Sequence, residues 1–419
     1  MVGLIRFSEK VLVVLGLLYL TESFFVFIPG TIASLIQYGV YLVTFLLLLA
    51  RWRRTIRTAI RNIFIWILLS IALFSFLWSD FPSQSLISSI VAWQTASFAL
   101  YFASCYTLKQ QIRLLAWAMG IAAVLTLVYT LVNPGSAIHF GAHAGAWRGV
   151  YTHKNVLAQM MTLSSLVFLF LVMTLERHRY LAWGGLILSV ALLILSTSKT
   201  GLVVFLTVFV LLQLYKTARW RNTKAILGAI IVTLIVSGLF TILIGNFESV
   251  LTSLGRDPTL TGRTEIWGGA IEWIQEKPWL GYGRSAFWEY ESGRPVAVGE
   301  AVGAKYVPPH SHNGFIDLTG DLGLVGLGAF LLSFLTGFIR AYNRVRFTRS
   351  PENIWPVVYL SFFILYNLTE TSIMGHNSGL WAIYITVLLS LNRFDLYSPV
   401  TEDPETVSSQ SLQLKKSIH

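Results

Sequence analysis

Apolar runs of about twenty residues, separated by short polar stretches, recur along almost the whole chain. A membrane-crossing helix needs about 20 predominantly apolar residues. Twelve runs approach that length: 11–28, 31–50, 62–79, 86–106, 113–132, 155–175, 181–197, 201–215, 225–245, 313–339, 354–372 and 378–392. The seventh and eighth are short and meet at "STSKTG". Arg6 and Lys10 precede the first run, which is long enough to span and shows no small-residue cleavage pattern, so it reads as a retained helix. The pattern predicts an all-α polytopic membrane protein with about twelve transmembrane helices.

Basic residues orient the array. With a cytoplasmic N-terminus, the inner loops collect "RWRRTIRTAIR", "KTARWRNTK" and "RAYNRVRFTR", and all but nine of the 31 Lys and Arg. That bias puts both termini in the cytoplasm. Residues 1–396 then form one transmembrane domain, and the polar stretch 397–419 reads as a disordered tail. Two longer loops lie on the outer side, 133–154 and 246–312. The second contains "TGRTEIWGGAIEWIQEKPWLGYG", whose apolar positions 266, 267, 270, 271 and 274 have helical spacing. Thr261 or Thr264 could cap that helix, and Pro278 and Gly281 would end it.

Composition sharpens this picture. The chain is 55% hydrophobic and 12% charged, with mean hydropathy +0.65, which excludes an ordinary soluble domain. Its net charge of +11 belongs to cytoplasmic loops rather than to nucleic-acid binding. A single cysteine, Cys105, rules out an intrachain disulfide.

Candidate chemistry gathers on the outer side, with six of the eight histidines: His139, His143, His153, His310, His312 and His376. In "YVPPHSHNGFIDLTGDLGLVGLGAF" a loop runs into the tenth span. Asn313, Asp317 and Asp321 share one helix face, with His312 at its outer end. Carboxylates at membrane depth cost several kcal/mol, so that face points at a cavity or another helix. The four glycines 320, 323, 326 and 328 would supply close-packing surface. The alternative is a purely structural network with His312 at the interface. A metal site built from His310 and His312 with His139, His143 or His153 is a weaker reading, because no carboxylate or cysteine stands at recognisable ligand spacing. The cations Arg148, Lys154, Lys199, Arg263 and Arg284 suit an anionic head group such as a diphosphate. The bland reading of each is scattered loop charge. Glu370 and Glu22 are further buried-acid candidates, read as helix-pairing residues.

At these residues the chain resembles the O-antigen ligase and polymerase superfamily. "HNGFIDLTGDLGLVG" has the pattern His-Asn, nine residues, Gly-x-x-Gly, through His312, Asn313, Gly323 and Gly326. "RGVYTHKNVLA", "STSKTG" and "GRTEIWGGAIEWIQEKPWLGYGRSAFW" follow the same family order, most like its exopolysaccharide-production, ExoQ-like branch. The resemblance runs from about residue 60 to 390. It implies an inverting, metal-independent membrane glycosyltransferase without a cofactor, acting on the outer face of the bacterial plasma membrane. The donor would be an undecaprenyl-diphosphate-linked glycan. The acceptor would be a glycan or lipid A-core, with a chain-length regulator as a further possible partner.

Carried over, His312 matches the motif histidine and Arg263 the loop arginine, the two catalytic candidates. Arg148, Lys154, Arg284 and Lys199 would hold the diphosphate, and Asn313 and Asp317 would orient the histidine ring or the acceptor. Preplaced cations in a low-dielectric cleft would stabilise the departing diphosphate. A histidine is the natural general base near neutral pH. Polymerisation of repeat units is the favoured reading, ahead of ligation to lipid A-core and of transfer to protein. A lipid-linked-sugar transporter is the rival from another class, but matched halves are not found and the longest loop is outside.

Overall fold

The computed structural model describes residues 2–175, 179–217, 227–240, 263–301, 307–348, 350–375 and 378–391. Among these the chain is helical, with no strand and one isolated antiparallel bridge, Ile138 to Trp147. The helices are α1 (Val2–Leu20), α2 (Gly30–Ala50), α3 (Trp52–Ala59), α4 (Ile63–Phe74), α5 (Pro82–Cys105), α6 (Leu108–Val132), α7 (Lys154–Thr174), α8 (Arg179–Leu195) and α9 (Lys199–Thr217). After these come α10 (Leu227–Phe240), α11 (Arg263–Glu276), α12 (Arg294–Ala301), α13 (Gly314–Phe347), α14 (Trp355–Asn367) and α15 (Gly379–Ser390). The tail from 392 and His376 lie outside the described residues.

The predicted apolar runs each fall on a helix, but their lengths differ. Among the described residues, six helices are long and apolar enough to cross a membrane. The number is seven if α3 and the bent segment Ile63–Leu77, 93° apart, form one span. The expectation of twelve therefore rests on shorter helices. The reason is visible in their surroundings. Every residue of α15 is buried, and so is nearly all of α14. A helix apolar on all sides belongs inside a bundle. Trp355, Trp381, Tyr359 and Tyr384 fill this centre. The exposed aliphatics are on peripheral helices, among them Leu35, Leu42, Leu131, Val132 and Leu335, as expected of a multi-pass membrane protein.

Basic loops meet at one end. Arg51 pairs with Glu9, Arg61 donates to the Leu389 carbonyl at 2.9 Å, and Arg344 to Asn353 at 2.6 Å. The candidate residues lie at the other end.

There α13 is not continuous. Gly323 has φ 63° and ψ −169°, a region open essentially to glycine alone. A Cβ there would lie 2.2 Å from the carbonyl carbon of Trp279. The break lets the segment after α11 enter the helix. Leu324 and Val325 N–H donate to the Pro278 and Trp279 carbonyls, while Tyr282 and Gly283 N–H donate to those of Gly320 and Asp321. Backbone groups freed by the kink are thus satisfied by the loop, as a low-dielectric setting requires. Of the four glycines expected to pack closely, Gly328 instead has open space.

Candidate active site

The loop helix begins at Arg263, so the predicted element exists; Thr261 lies outside the described residues. Ile266 and Ala270 turn inward, with Trp273 and Ile274 partly buried, but Ile271 is exposed, contrary to the expected stripe. Trp267 Nε1 donates to the Ser311 carbonyl at 2.8 Å and ties this helix to the histidine loop.

Asn313 caps α13, its Oδ1 accepting from the N–H of Phe315 and Ile316. Its Nδ2 reaches the Leu368 carbonyl at 3.4 Å, just past α14. At the close approach of the two helices, a Cβ on Gly314 would lie 2.3 Å from Asn367 Oδ1. That Oδ1 also accepts from the N–H of Ser372 and Ile373, each at 2.9 Å. The turn after α14 is folded by these bonds. Glu370 stands in it, beyond the end of the helix rather than inside the eleventh span.

Glu370 is the centre of the arrangement. Its Oε2 lies 3.4 Å from His312 Nδ1. Its Oε1 accepts from Asn155 Nδ2 at 2.8 Å and from Arg263 Nη2 at 3.3 Å. Arg263 Nη1 also donates to the Thr369 carbonyl at 3.0 Å. Burial alone would raise the Glu370 pKa, but the His312 hydrogen bond and the Arg263 charge outweigh it and hold the carboxyl down to about 2. Three side chains, from α7, α11 and the α13 entry, thus converge on one carboxylate at the α14 exit. His312 itself has φ 55°, an uncommon left-handed value for a non-glycine residue. Its N–H donates to His310 Nδ1, and the two rings lie 4.1 Å apart. Burial and the His312 charge lower the His310 pKa.

The two carboxylates of α13 support the loops. Asp317 accepts from Trp288 Nε1 at 2.7 Å, from Ser311 N–H at 2.9 Å and from the Thr371 hydroxyl. Asp321 pairs with Arg284 at 2.8 Å and accepts from the N–H of Ser285. Arg284 is 8% exposed and also donates to Ser285 Oγ and the Met374 carbonyl. Arg294 and Lys277 are held in the same way by Asp80, each at 2.8 Å. The structure therefore sorts the cations. Arg263 stands at the histidine and Arg284 is locked beneath the kink. Arg148 lies elsewhere, its Nε on the Ser136 carbonyl at 2.8 Å and its Nη1 on that of Thr152 at 3.3 Å. Lys154 opens α7 one residue before Asn155, and its N–H donates to His139 Nε2. Lys199 opens α9.

His139, His143 and His153 meet edge to face, ring centres 5.0–5.8 Å apart. Burial lowers the pKa of His139 and brings that of His153 down to about 4. Among the described residues, no group of three or more His, Cys, Asp or Glu is arranged to hold a metal ion.

Two members of the cluster escaped the sequence reading. Asn155 belongs to the "RGVYTHKNVLA" segment but was not singled out. Glu370 was noted only as a helix-pairing acid, and its signal was its unusual position in an apolar stretch.

Residues 184–331, which include Lys199, Arg263, His312 and Asn313, match a domain model described as O-Antigen ligase (Wzy_C). The exopolysaccharide production protein ExoQ of Rhizobium meliloti is 27% identical over 357 residues, 81% of this chain and 80% of that protein. Candidate polysaccharide ligases of Rickettsia felis and Rickettsia conorii are each 26% identical over 32% of the chain, and over 34% and 33% of their own lengths. The matched domain and the length of the ExoQ similarity together support an O-antigen ligase/ExoQ-like family for this chain.

Proposed function

We propose that this protein transfers glycan from a polyprenyl-diphosphate carrier to an acceptor sugar, polymerising repeat units during exopolysaccharide assembly. The observation that carries this reading is Glu370, which holds His312 and Arg263 on its two oxygens. With Nδ1–H directed at the carboxylate, His312 keeps a lone pair on Nε2. An acceptor hydroxyl at Nε2 attacks the anomeric carbon of the donor. The new C–O bond forms as the sugar–phosphate bond breaks, and that electron pair leaves on the diphosphate. The hydroxyl proton passes to Nε2, and Glu370 balances the imidazolium. Arg263 supports the departing diphosphate, joined by Lys154 and Lys199 from the starts of α7 and α9. Asn155, Asn313 and Asp317 hold the geometry, and Arg284 serves the loop that enters the kink. The shorter apolar helices complete the crossing of the plasma membrane with the Arg-rich end in the cytoplasm, so the site opens to the outer face.

Similarity to an exopolysaccharide production protein over four-fifths of the chain supports a role in exopolysaccharide assembly, for which polymerisation is our reading ahead of ligation. The test is the carrier-lipid profile of cells lacking the gene, beside cells carrying His312→Ala or Arg263→Ala at normal membrane levels. Accumulated single repeat units with no ladder of longer chains support the polymerase. Long carrier-linked chains that never reach lipid A mark a ligase. A wild-type profile in both variants would refute glycan transfer at this site.

A further inference from the structure

A cavity lies between the end of α1 and the loop before α7, with about 320 Å³ of space. It shares no lining residue with the His312 cluster; Glu22, Phe25, Tyr129, Arg148, Tyr151 and Thr152 are among those that line it. Three features set it apart from a packing defect. The Glu22 carboxylate has no hydrogen-bond or ion-pair partner among the described residues, although it is half-buried. Its backbone is left-handed, φ 56°, a strained state for glutamate that surrounding structure must impose. Thr21, Ser23 and Tyr151 impose it through a buried hydroxyl chain, Thr21 to Ser23 at 2.8 Å and Ser23 to Tyr151 at 3.2 Å. On the facing wall, Arg148 is fixed by two carbonyls, which leaves its Nη2 without a protein partner among the described residues.

We infer that this cavity is a saccharide subsite, taking one sugar residue of the acceptor glycan away from the bond being made. A fixed carboxylate accepts sugar hydroxyls, a fixed guanidinium donates to sugar oxygens, and the rings of Phe25, Tyr129 and Tyr151 offer the apolar faces that pyranose rings cover. The volume is at the small end of ligand pockets, about 300–1,000 Å³, and suits a single unit rather than a chain. Position supports the same occupant. Thr152 is in the wall, and three residues on, Asn155 donates to Glu370, a chain distance of at most about 11 Å. Binding a remote sugar here would hold the reacting hydroxyl at His312 and spend that contact on orientation. The acceptor identity rests on the glycan-transfer reading; the cavity does not.

The experiment uses the full chain in lipid nanodiscs and, as probe, carrier-free oligosaccharide released by mild acid from the host's own exopolysaccharide. Wild type binds it. Glu22→Gln and Tyr129→Ala each weaken binding tenfold or more and raise the acceptor KM more than they lower kcat. No binding by wild type, or undiminished binding by both cavity variants, overturns the subsite. If Glu22→Gln lowers thermal stability only in discs containing phosphatidylethanolamine, the occupant is a zwitterionic lipid head group and the saccharide assignment falls. Polymer formation by His312→Ala would instead remove the catalytic reading and leave the binding result standing.

Discussion

His312 Nδ1 faces Glu370 Oε2 at 3.4 Å, across 58 residues of sequence and from the two ends of a tight helix junction. The same carboxylate takes Arg263 and Asn155 on its other oxygen. A histidine and an arginine are therefore held by one carboxylate, which positions the ring and the guanidinium together.

Glu370→Gln keeps the shape and removes the charge. Transfer should fall about 100-fold or more, the range of one general acid–base contribution. With its carboxyl held down to about 2, Glu370 is ionised across ordinary assay conditions. The loss should therefore be equally large from about pH 6 to pH 9, read as initial rates of polymer formation. A loss that vanishes at either limit would show that Glu370 acts in another way.

The kink at Gly323 should tolerate no side chain. Gly323→Ala combines a forbidden φ with a clash against the Trp279 backbone, and about 3 kcal/mol or more of destabilisation is expected. Gly328→Ala meets nothing within 4 Å and is the matched control, with little expected change. Thermal unfolding of the detergent-solubilised protein reads both.

Arg284 and Asp321 should behave as a folding pair. Removing either partner leaves an uncompensated buried charge, at about 3–5 kcal/mol. Arg284→Met with Asp321→Leu should recover more folded protein in membranes than either single change. A folded Arg284→Met protein with only a raised donor KM would return Arg284 to the diphosphate.

The imidazole cluster makes the loop before α7 acid-sensitive. His153 in the fold has a pKa of about 4, below the free value of about 6.5. Between those values the unfolded chain binds more protons, so stability rises with pH there and is lost as pH falls from about 6.5 toward 4. His153→Asn keeps a side-chain cap for α7 and should flatten that dependence in melting curves taken across the window.

The length of the apolar runs, the crowding of Lys and Arg into alternate loops and the spacing of the loop helix were legible in the sequence, because each depends on neighbours within a few turns. The histidine and its arginine were legible as motif positions. Glu370 as their common partner was not, since contact between residues 58 and 107 apart depends on how α13 and α14 meet. Nor was the difference between Arg263, Arg148 and Arg284, which are chemically identical in sequence and differ only in the anion or carbonyl that the fold brings to each. The number of spans stayed open for the same reason. Hydropathy says that α14 and α15 avoid water, and only packing says that other helices, not lipid, surround them. Tertiary structure decided these points because burial and charge pairing depend on distance in space, which an apolar pattern along the chain does not encode.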